Sequence, residues 1–315
     1  MKIGIAGTHR VATVMVTSSA VLTAAALAAP AAAAAPAATA PTTARTAPAP
    51  AVTAAKKPSV TARGGYVMNS GTGRSLYTKA ADTRRSTGST TKIMTARVVL
   101  ARKNLDLSRK VTIRKAYSDY IVRNTASSAR LIVGDKVTVR QLLYGMMLPS
   151  GCDAAYALAD TFGKGRTRSA RVKSFIGSMN STARGLGLKN THFDSFDGIG
   201  KGRNYSTPRD LTELARDAMR SPTFRSIVKT RSTKQKTVTR SGGYRYMNWR
   251  NTNPLLGGYS GALGVKTGSG PEAKYCLVFA AKRGGKTVIG TVLASSSSAN
   301  RTKDAKKLLS HGFAK

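Results

Sequence analysis

Residues 84–100 read RRSTGSTTKIMTARVVL, and the rest of the sequence is best interpreted outward from this stretch. A run of small hydroxyl residues ends there, and an apolar segment with helical spacing begins at Ile93. Ser89 stands three positions before Lys92, so on a helix the two side chains would share one face. The stretch is therefore either a polar loop that caps a helix or a serine nucleophile with a lysine base beside it.

The spacing Ser-x-x-Lys is a weak signal alone, because the chain repeats it at Ser226 and Lys229. The two copies differ in their downstream segments. After Ser89 come LPSGCDAA, which contains Ser150, and then GVKTGSG, which contains Lys266. The copy at Ser226 is not succeeded by comparable segments in that order, so Ser89 is the stronger candidate nucleophile.

The pattern of elements predicts an α+β fold. Alternating β-type runs flank Asn69 near the start of the folded region, and strand patterns return after Lys234 and turn at Gly284. Between them, residues from about 110 to 230 are dominated by helical periodicity. We therefore predict an antiparallel sheet flanked by helices, with an all-helical lobe inserted at about 110–230.

The N-terminal region has the composition of an export signal. A positively charged start, an apolar middle and Ala-x-Ala sites predict a signal peptide over residues 1–35. Residues 36–58 are rich in Ala, Pro and Thr and predict a disordered linker, which leaves residues 59–315 as the folded domain. We expect a secreted protein associated with the cell wall.

With 52 Lys and Arg against 13 Asp and Glu, the formal net charge of +39 points to a polyanionic neighbour. An anionic cell-wall polymer suits the predicted export. Nucleic acid is disfavoured as a partner, because aromatic residues make up only 6% of the chain and show no base-stacking motif. We expect no nucleic-acid partner.

The three ordered motifs make the sequence resemble the serine D-alanyl-D-alanine carboxypeptidases, the low-molecular-mass penicillin-binding proteins. That family carries Ser-x-x-Lys, then Ser-x-Asn, then Lys-Thr-Gly. The flanking segments GYVMNSGTGRSLYTKAAD, STPRDLTELA and NWRNTNPLL are also similar to family stretches. The resemblance extends from about Gly64 to the C-terminus and implies a β-lactamase/DD-peptidase-like fold. It also implies cleavage of peptidoglycan stem peptides that end in D-Ala-D-Ala, and covalent inhibition by β-lactams.

Carried over by position, the resemblance implies that Ser89 is the acylated nucleophile, that Lys92 is its general base and that Ser150 relays a proton to the leaving group. The backbone N–H groups of Ser89 and Ser269 would form the oxyanion hole. Lys266 would supply positive charge, which also favours a neutral Lys92. The residues expected to bind substrate are Cys152, Lys266, Thr267, Gly268 and Ser269.

Cys152 departs from the usual pattern, because most family members have asparagine at that position. A thiol is a weak hydrogen-bonding group where an amide is a strong one. The subset of the family with cysteine there leans toward transpeptidation, so hydrolysis and transfer both stay open. We expect Cys152 to be a free thiol facing the cleft and Cys276 to be buried, with a disulfide between them as the alternative.

Other functional classes fit less well. The chain has only two glutamates, Glu213 and Glu272, and neither has the context of the glutamate that activates water in class A β-lactamases. Clustered zinc ligands are lacking in the sequence, and no cofactor is expected. The remaining alternative is a catalytically silent cationic protein that binds the cell wall.

Overall fold

The computed structural model describes residues 57–200 and 202–315. The predicted signal peptide and the linker up to residue 56 lie outside the described residues. The described part contains nine strands and eight helices, which we number in chain order: β1 (Gly64–Asn69), β2 (Ser75–Lys79), α1 (Lys92–Leu100), β3 (Lys110–Thr112), α2 (Lys115–Arg123), β4 (Lys136–Thr138), α3 (Val139–Met147), α4 (Cys152–Phe162), α5 (Arg168–Gly185), α6 (Pro208–Ala218), α7 (Pro222–Lys229), β5 (Ser232–Val238), β6 (Tyr244–Arg250), β7 (Ala262–Gly270), β8 (Lys274–Arg283), β9 (Lys286–Ser295) and α8 (Ser298–Ala314).

The central sheet joins the two ends of the domain. Its five strands are antiparallel in the order β2-β1-β9-β8-β7, so the first hairpin pairs with the last strand. The middle of β8 is buried on both faces, because α8 covers one side and α6 lies on the other. This is why its core residues, from Cys276 to Ala281, form a continuous apolar run rather than an alternating one.

The inserted block is mostly helical, as expected, but it is not all-helical. The short strands β3 and β4 pair with each other, and β4 continues through Lys136 to the β5–β6 hairpin. Three-residue strands carry too little periodicity to be recognised in a sequence. The indole N–H of Trp249 donates to the carbonyl of Ala129 at 2.8 Å and so ties β6 to the loop that precedes the second motif.

The start of the folded region is fastened to the last helix. The carboxylate of Asp304 accepts hydrogen bonds from the backbone N–H groups of Thr61 at 3.0 Å and Ala62 at 2.8 Å, and from the hydroxyl of Thr61 at 2.8 Å. Asp304 is buried, so these bonds are protected from water. They hold the segment before β1 against α8.

Candidate active site

The serine of the first motif lies in a tight turn at the entrance to α1. Residues Gly88–Thr91 form one turn of 3₁₀ helix, and Lys92 begins the α-helix directly after it. Gly88 has a φ of +49°, which glycine adopts without strain, and a side chain there would press against the backbone of Ser269. Gly268 is equally restricted, because a Cβ would lie 2.8 Å from the carbonyl oxygen of Thr87. Small residues thus allow β7 to approach the serine turn closely.

Lys92 contacts the serine directly. Its side chain is fully buried, and its Nζ donates to Ser89 Oγ at 2.7 Å, to Cys152 Sγ at 3.2 Å and to the carbonyl oxygen of Asp197 at 3.2 Å. An ammonium group has three protons to donate, so these contacts use all of them. Ser89 itself is half-buried and lines the cleft.

Ser150 lies between α3 and α4, with its backbone in the left-handed region at a φ of +68°. This conformation is strained for a residue with a Cβ. The hydroxyl of Ser127 holds it by donating to the Ser150 carbonyl at 2.6 Å. Ser150 lines the cleft beside Ser89, and among the described residues its own hydroxyl makes no protein hydrogen bond.

Cys152 is a free thiol, as expected, but it does not face the cleft. It begins α4 and is fully buried, and its Sγ lies 3.2 Å from Nζ of Lys92. Burial raises the pKa of this thiol more than the charge of Lys92 lowers it. Cys276 is also free and buried, as expected, and burial raises its pKa to about 11. We therefore interpret Cys152 as a residue that positions Lys92 rather than one that touches substrate.

Lys266 occupies the middle of β7 with only 1% of its surface exposed. Its Nζ donates to the carbonyl oxygen of Thr267 at 3.1 Å. The pKa of Lys266 lies well below its ordinary value because of burial, and the charges of Lys92 and Arg301 lower it further.

Arg301 is a site residue that we did not identify from the sequence. It lies on α8, is 6% exposed, and lines the cleft beside Ser269. Its Nη1 lies 3.4 Å from the carbonyl oxygen of Gly268, and its Nε is buried without a hydrogen-bond partner. The sequence held only part of the signal: Arg301 shares the apolar face of α8 with Ala305 and Leu308 at helical spacing, which indicates burial but not a place at the cleft.

The cleft between β7 and the inserted block has a volume of about 560 Å³, within the usual size range of ligand sites. It brings together most of the predicted residues, with Lys92, Cys152 and Lys266 buried in its wall. Those exposed to the cleft include Ser89, Ser150, Thr267, Gly268, Ser269 and Arg301. Among the described residues, no group of three His, Cys, Asp or Glu side chains could hold a metal ion.

Comparison with known proteins places the chain in a family. The family model for D-alanyl-D-alanine carboxypeptidase matches residues 51–297. The chain belongs to the D-alanyl-D-alanine carboxypeptidase family. This confirms the resemblance that rests on the three motifs.

Two relatives show how far the similarity extends. A D-alanyl-D-alanine carboxypeptidase of Streptomyces sp. (strain K15) is 70% identical over 263 residues, which cover 83% of this chain and 90% of the relative. The carboxypeptidase DacF of Bacillus subtilis (strain 168) is 32% identical over 254 residues, and these cover 80% of this chain but only 62% of the relative. The chain thus spans nearly all of the first relative and about three fifths of the second.

Solved structures of this carboxypeptidase family share the fold. The crystal structure of the Streptomyces K15 DD-transpeptidase, at 72% identity, aligns with a TM-score of 0.82 over 82% of this chain and all of that one. The D-alanyl-D-alanine carboxypeptidase DacD from Francisella tularensis, at 27% identity, aligns with a TM-score of 0.72 over 82% of this chain and 72% of that one. The predicted α+β, DD-peptidase-like fold is confirmed.

Proposed function

We propose that the chain is a serine-type D-alanyl-D-alanine carboxypeptidase with transpeptidase capacity, which acts on peptidoglycan stem peptides through an acyl-enzyme on Ser89. β-Lactams would acylate the same hydroxyl. The observation that supports this most directly is the 2.7 Å contact between Lys92 Nζ and Ser89 Oγ at the floor of an open cleft. A nucleophile and its base within hydrogen-bond reach are the signature of covalent catalysis.

In the acylation step, Lys92 takes the proton of Ser89 as Oγ attacks the carbonyl carbon of the penultimate D-alanine. The backbone N–H groups of Ser89 and Ser269 receive the developing oxyanion, and such donors typically contribute a factor of about 10²–10³ each. Ser150 passes the proton to the departing D-alanine. Water or the amino group of a second stem peptide then releases the acyl group, which gives hydrolysis or transfer.

Substrate binding is expected to change the charge of Lys266. Burial favours the neutral form of this lysine. The terminal carboxylate of a substrate would bind near Thr267, Ser269 and Arg301, all of which line the cleft. This negative charge favours a protonated Lys266.

The same proposal covers the rest of the chain. Residues 1–35 would be a signal peptide, residues 36–58 a tether and residues 59–315 the catalytic domain of a secreted, wall-associated enzyme. Among the described residues, no helix is both long enough and apolar enough to cross a membrane. Anionic wall polymers would be partners through the net charge of +39, and nucleic acid would not be a partner.

Mass spectrometry after incubation with a β-lactam tests the assignment. We expect one acyl group, mapped to Ser89, and no acylation of Ser89→Ala. Ser226→Ala is the matched control, because it removes the serine of the other Ser-x-x-Lys and is expected to acylate normally. Acylation that survives in Ser89→Ala would overturn the site. A wild-type protein that never acylates would favour the silent wall-binding alternative.

A further inference from the structure

The second Ser-x-x-Lys copy, which the catalytic proposal leaves unused, lies at a separate cavity. Ser226 and Lys229 are on α7, and both are exposed and line this cavity. Lys229 is exposed to solvent, whereas Lys266 is buried, so the surroundings of the two lysines differ. The structure therefore gives this copy a different use from the first.

The cavity, which we call the α6–α7 groove, is defined by its cationic residues together with Ser226. These residues are Arg216, Arg220, Arg225, Lys229 and Lys282. Its volume is about 960 Å³, larger than that of the cleft.

Two acidic residues, Glu213 and Asp217, also line the groove, but both have partners. Glu213 lies 3.7 Å from Arg216, and Asp217 pairs with Arg97 outside the groove. Among the described residues, Arg220, Lys229 and Lys282 form no ion pair, and all three are exposed. The groove therefore carries an excess of positive charge that nothing in the described chain neutralises.

The groove shares no lining residue with the catalytic cleft, although one strand reaches both. Leu263 near the start of β7 lines the groove, and Thr267 further along lines the cleft. Four residues of a strand span about 13 Å. A long ligand bound in the groove would therefore keep the cleft near that ligand and would leave the cleft open to substrate.

We infer that the α6–α7 groove binds a phosphodiester polymer of the cell wall, of the poly(glycerol phosphate) type. Arginines, lysines and hydroxyl groups are the donors that typically bind phosphate oxygens. Arg216 and Arg225 already donate to backbone carbonyls, so Arg220, Lys229 and Lys282 are the principal cationic donors. Hydroxyls come from Ser70, Ser226 and Thr287. A phosphodiester chain carries one charge per unit, so several units would meet several cations along the groove. This inference rests on the proposal that anionic wall polymers retain the enzyme, and it names the surface responsible.

The test compares two triple variants with equal loss of charge. R220Q/K229Q/K282Q removes one arginine and two lysines of the groove, and K103Q/R166Q/K189Q removes the same types from exposed positions outside it. Binding to poly(glycerol phosphate) is measured at several salt concentrations. Exposed ion pairs contribute about 0.2–1 kcal/mol each, so the groove variant is expected to bind about tenfold more weakly and the control less than about threefold.

Four outcomes would overturn the inference: equal losses in the two variants, no binding of the wild-type protein to the polymer, equal binding to polyglutamate, or a stronger preference for phosphatidylglycerol vesicles. Equal losses would assign retention to net charge alone. β-Lactam acylation is measured on both variants and is expected to match the wild type, since none of the six residues belongs to the catalytic site. A failure of the groove and a failure of the catalytic proposal are thereby distinguished.

Discussion

Cys152 places its Sγ 3.2 Å from Nζ of Lys92. The contact is buried, and burial keeps the thiol protonated by raising its pKa. A neutral thiol is a weak hydrogen-bond acceptor, so one of the three hydrogen bonds that orient Lys92 is weak. The position of the lysine amine therefore depends mainly on Ser89 and on the carbonyl of Asp197.

We expect Cys152→Asn to retain β-lactam acylation and to shift the products of a donor peptide from transfer toward hydrolysis, because the amide holds Lys92 more firmly. Product ratios with a fixed amino acceptor measure this. Cys152→Ala, which removes the contact altogether, serves as the control and should not shift toward hydrolysis. An unchanged ratio in Cys152→Asn would mean that this position does not govern the fate of the acyl-enzyme.

A thiol reagent is expected to label neither cysteine quickly in the native protein, because both are buried.

Ser150 supports a prediction that separates strain from chemistry. Ser150→Gly and Ser150→Ala both remove the hydroxyl and are expected to slow acylation by about 10²-fold or more, since both lose a proton relay. Only glycine relieves the φ of +68°, so Ser150→Gly should be more stable than Ser150→Ala by about 1 kcal/mol. Denaturant unfolding of the two variants measures the difference. Equal stabilities would show that the turn is not strained.

Lys266 should make the stability of the protein depend on pH. Its pKa is lowered in the folded state, so the unfolded chain binds more protons between that pKa and about 10.4, and stability rises with pH through this window. At neutral pH, Lys266→Met is expected to raise the free energy of unfolding by about 1–3 kcal/mol while abolishing acylation. The advantage over the wild type should shrink toward pH 10.

Lys229→Met is the control for that experiment, because it makes the same substitution at an exposed lysine. If Lys266→Met destabilises the protein equally at every pH, burial of Lys266 does not lower the free energy of unfolding.

Arg301 is expected to recognise the free carboxylate of the substrate. Charge-assisted hydrogen bonds contribute about 1.5–3 kcal/mol, so Arg301→Gln should lower kcat/KM for a carboxylate-ended peptide by about 10–100-fold. For the same peptide with an amidated end, the variant and the wild type should differ little. A parallel loss on both peptides would indicate that Arg301 only supports the packing of β7. Arg301→Lys should recover part of the activity, since it restores the charge without the fork.

Asp304 tests the proposed start of the catalytic domain. Asp304→Asn is expected to lower the free energy of unfolding by about 1–3 kcal/mol, because a buried carboxylate with several donors loses its charge. In a version of the chain that begins at residue 65, the same substitution should have a smaller effect, since Thr61 and Ala62 are then missing. Calorimetric melting of the four proteins provides the comparison. Equal effects in both backgrounds would show that Asp304 acts elsewhere.

The cleft motifs and the general order of the longer strands and helices were predictable from the sequence because each depends on local patterns, whereas the three-residue strands β3 and β4 were not. Short β-type runs on either side of turn residues mark β1 and β2, and three motifs in order mark Ser89, Ser150 and Lys266. The orientation of Cys152 was not predictable, because one turn of helix decides whether a residue faces the cleft or the core. Arg301 was missed for a related reason. It reaches the cleft only because α8 packs against β8, and this contact between separate segments cannot be recognised from either segment alone.

The pairing of β1 with β9 has a consequence for the order in which the molecule can assemble. A chain that emerges from its N-terminus first presents the serine turn early, but β1 has no second neighbour until residues 286–295 arrive. Bringing β1 and β9 together closes a loop that contains most of the domain. This step is slow, because the loss of chain entropy comes before any gain from strand pairing. Ser298 and Arg301, which follow β9 in the chain, line the cleft, so the cleft is incomplete until the C-terminal end of the domain has emerged.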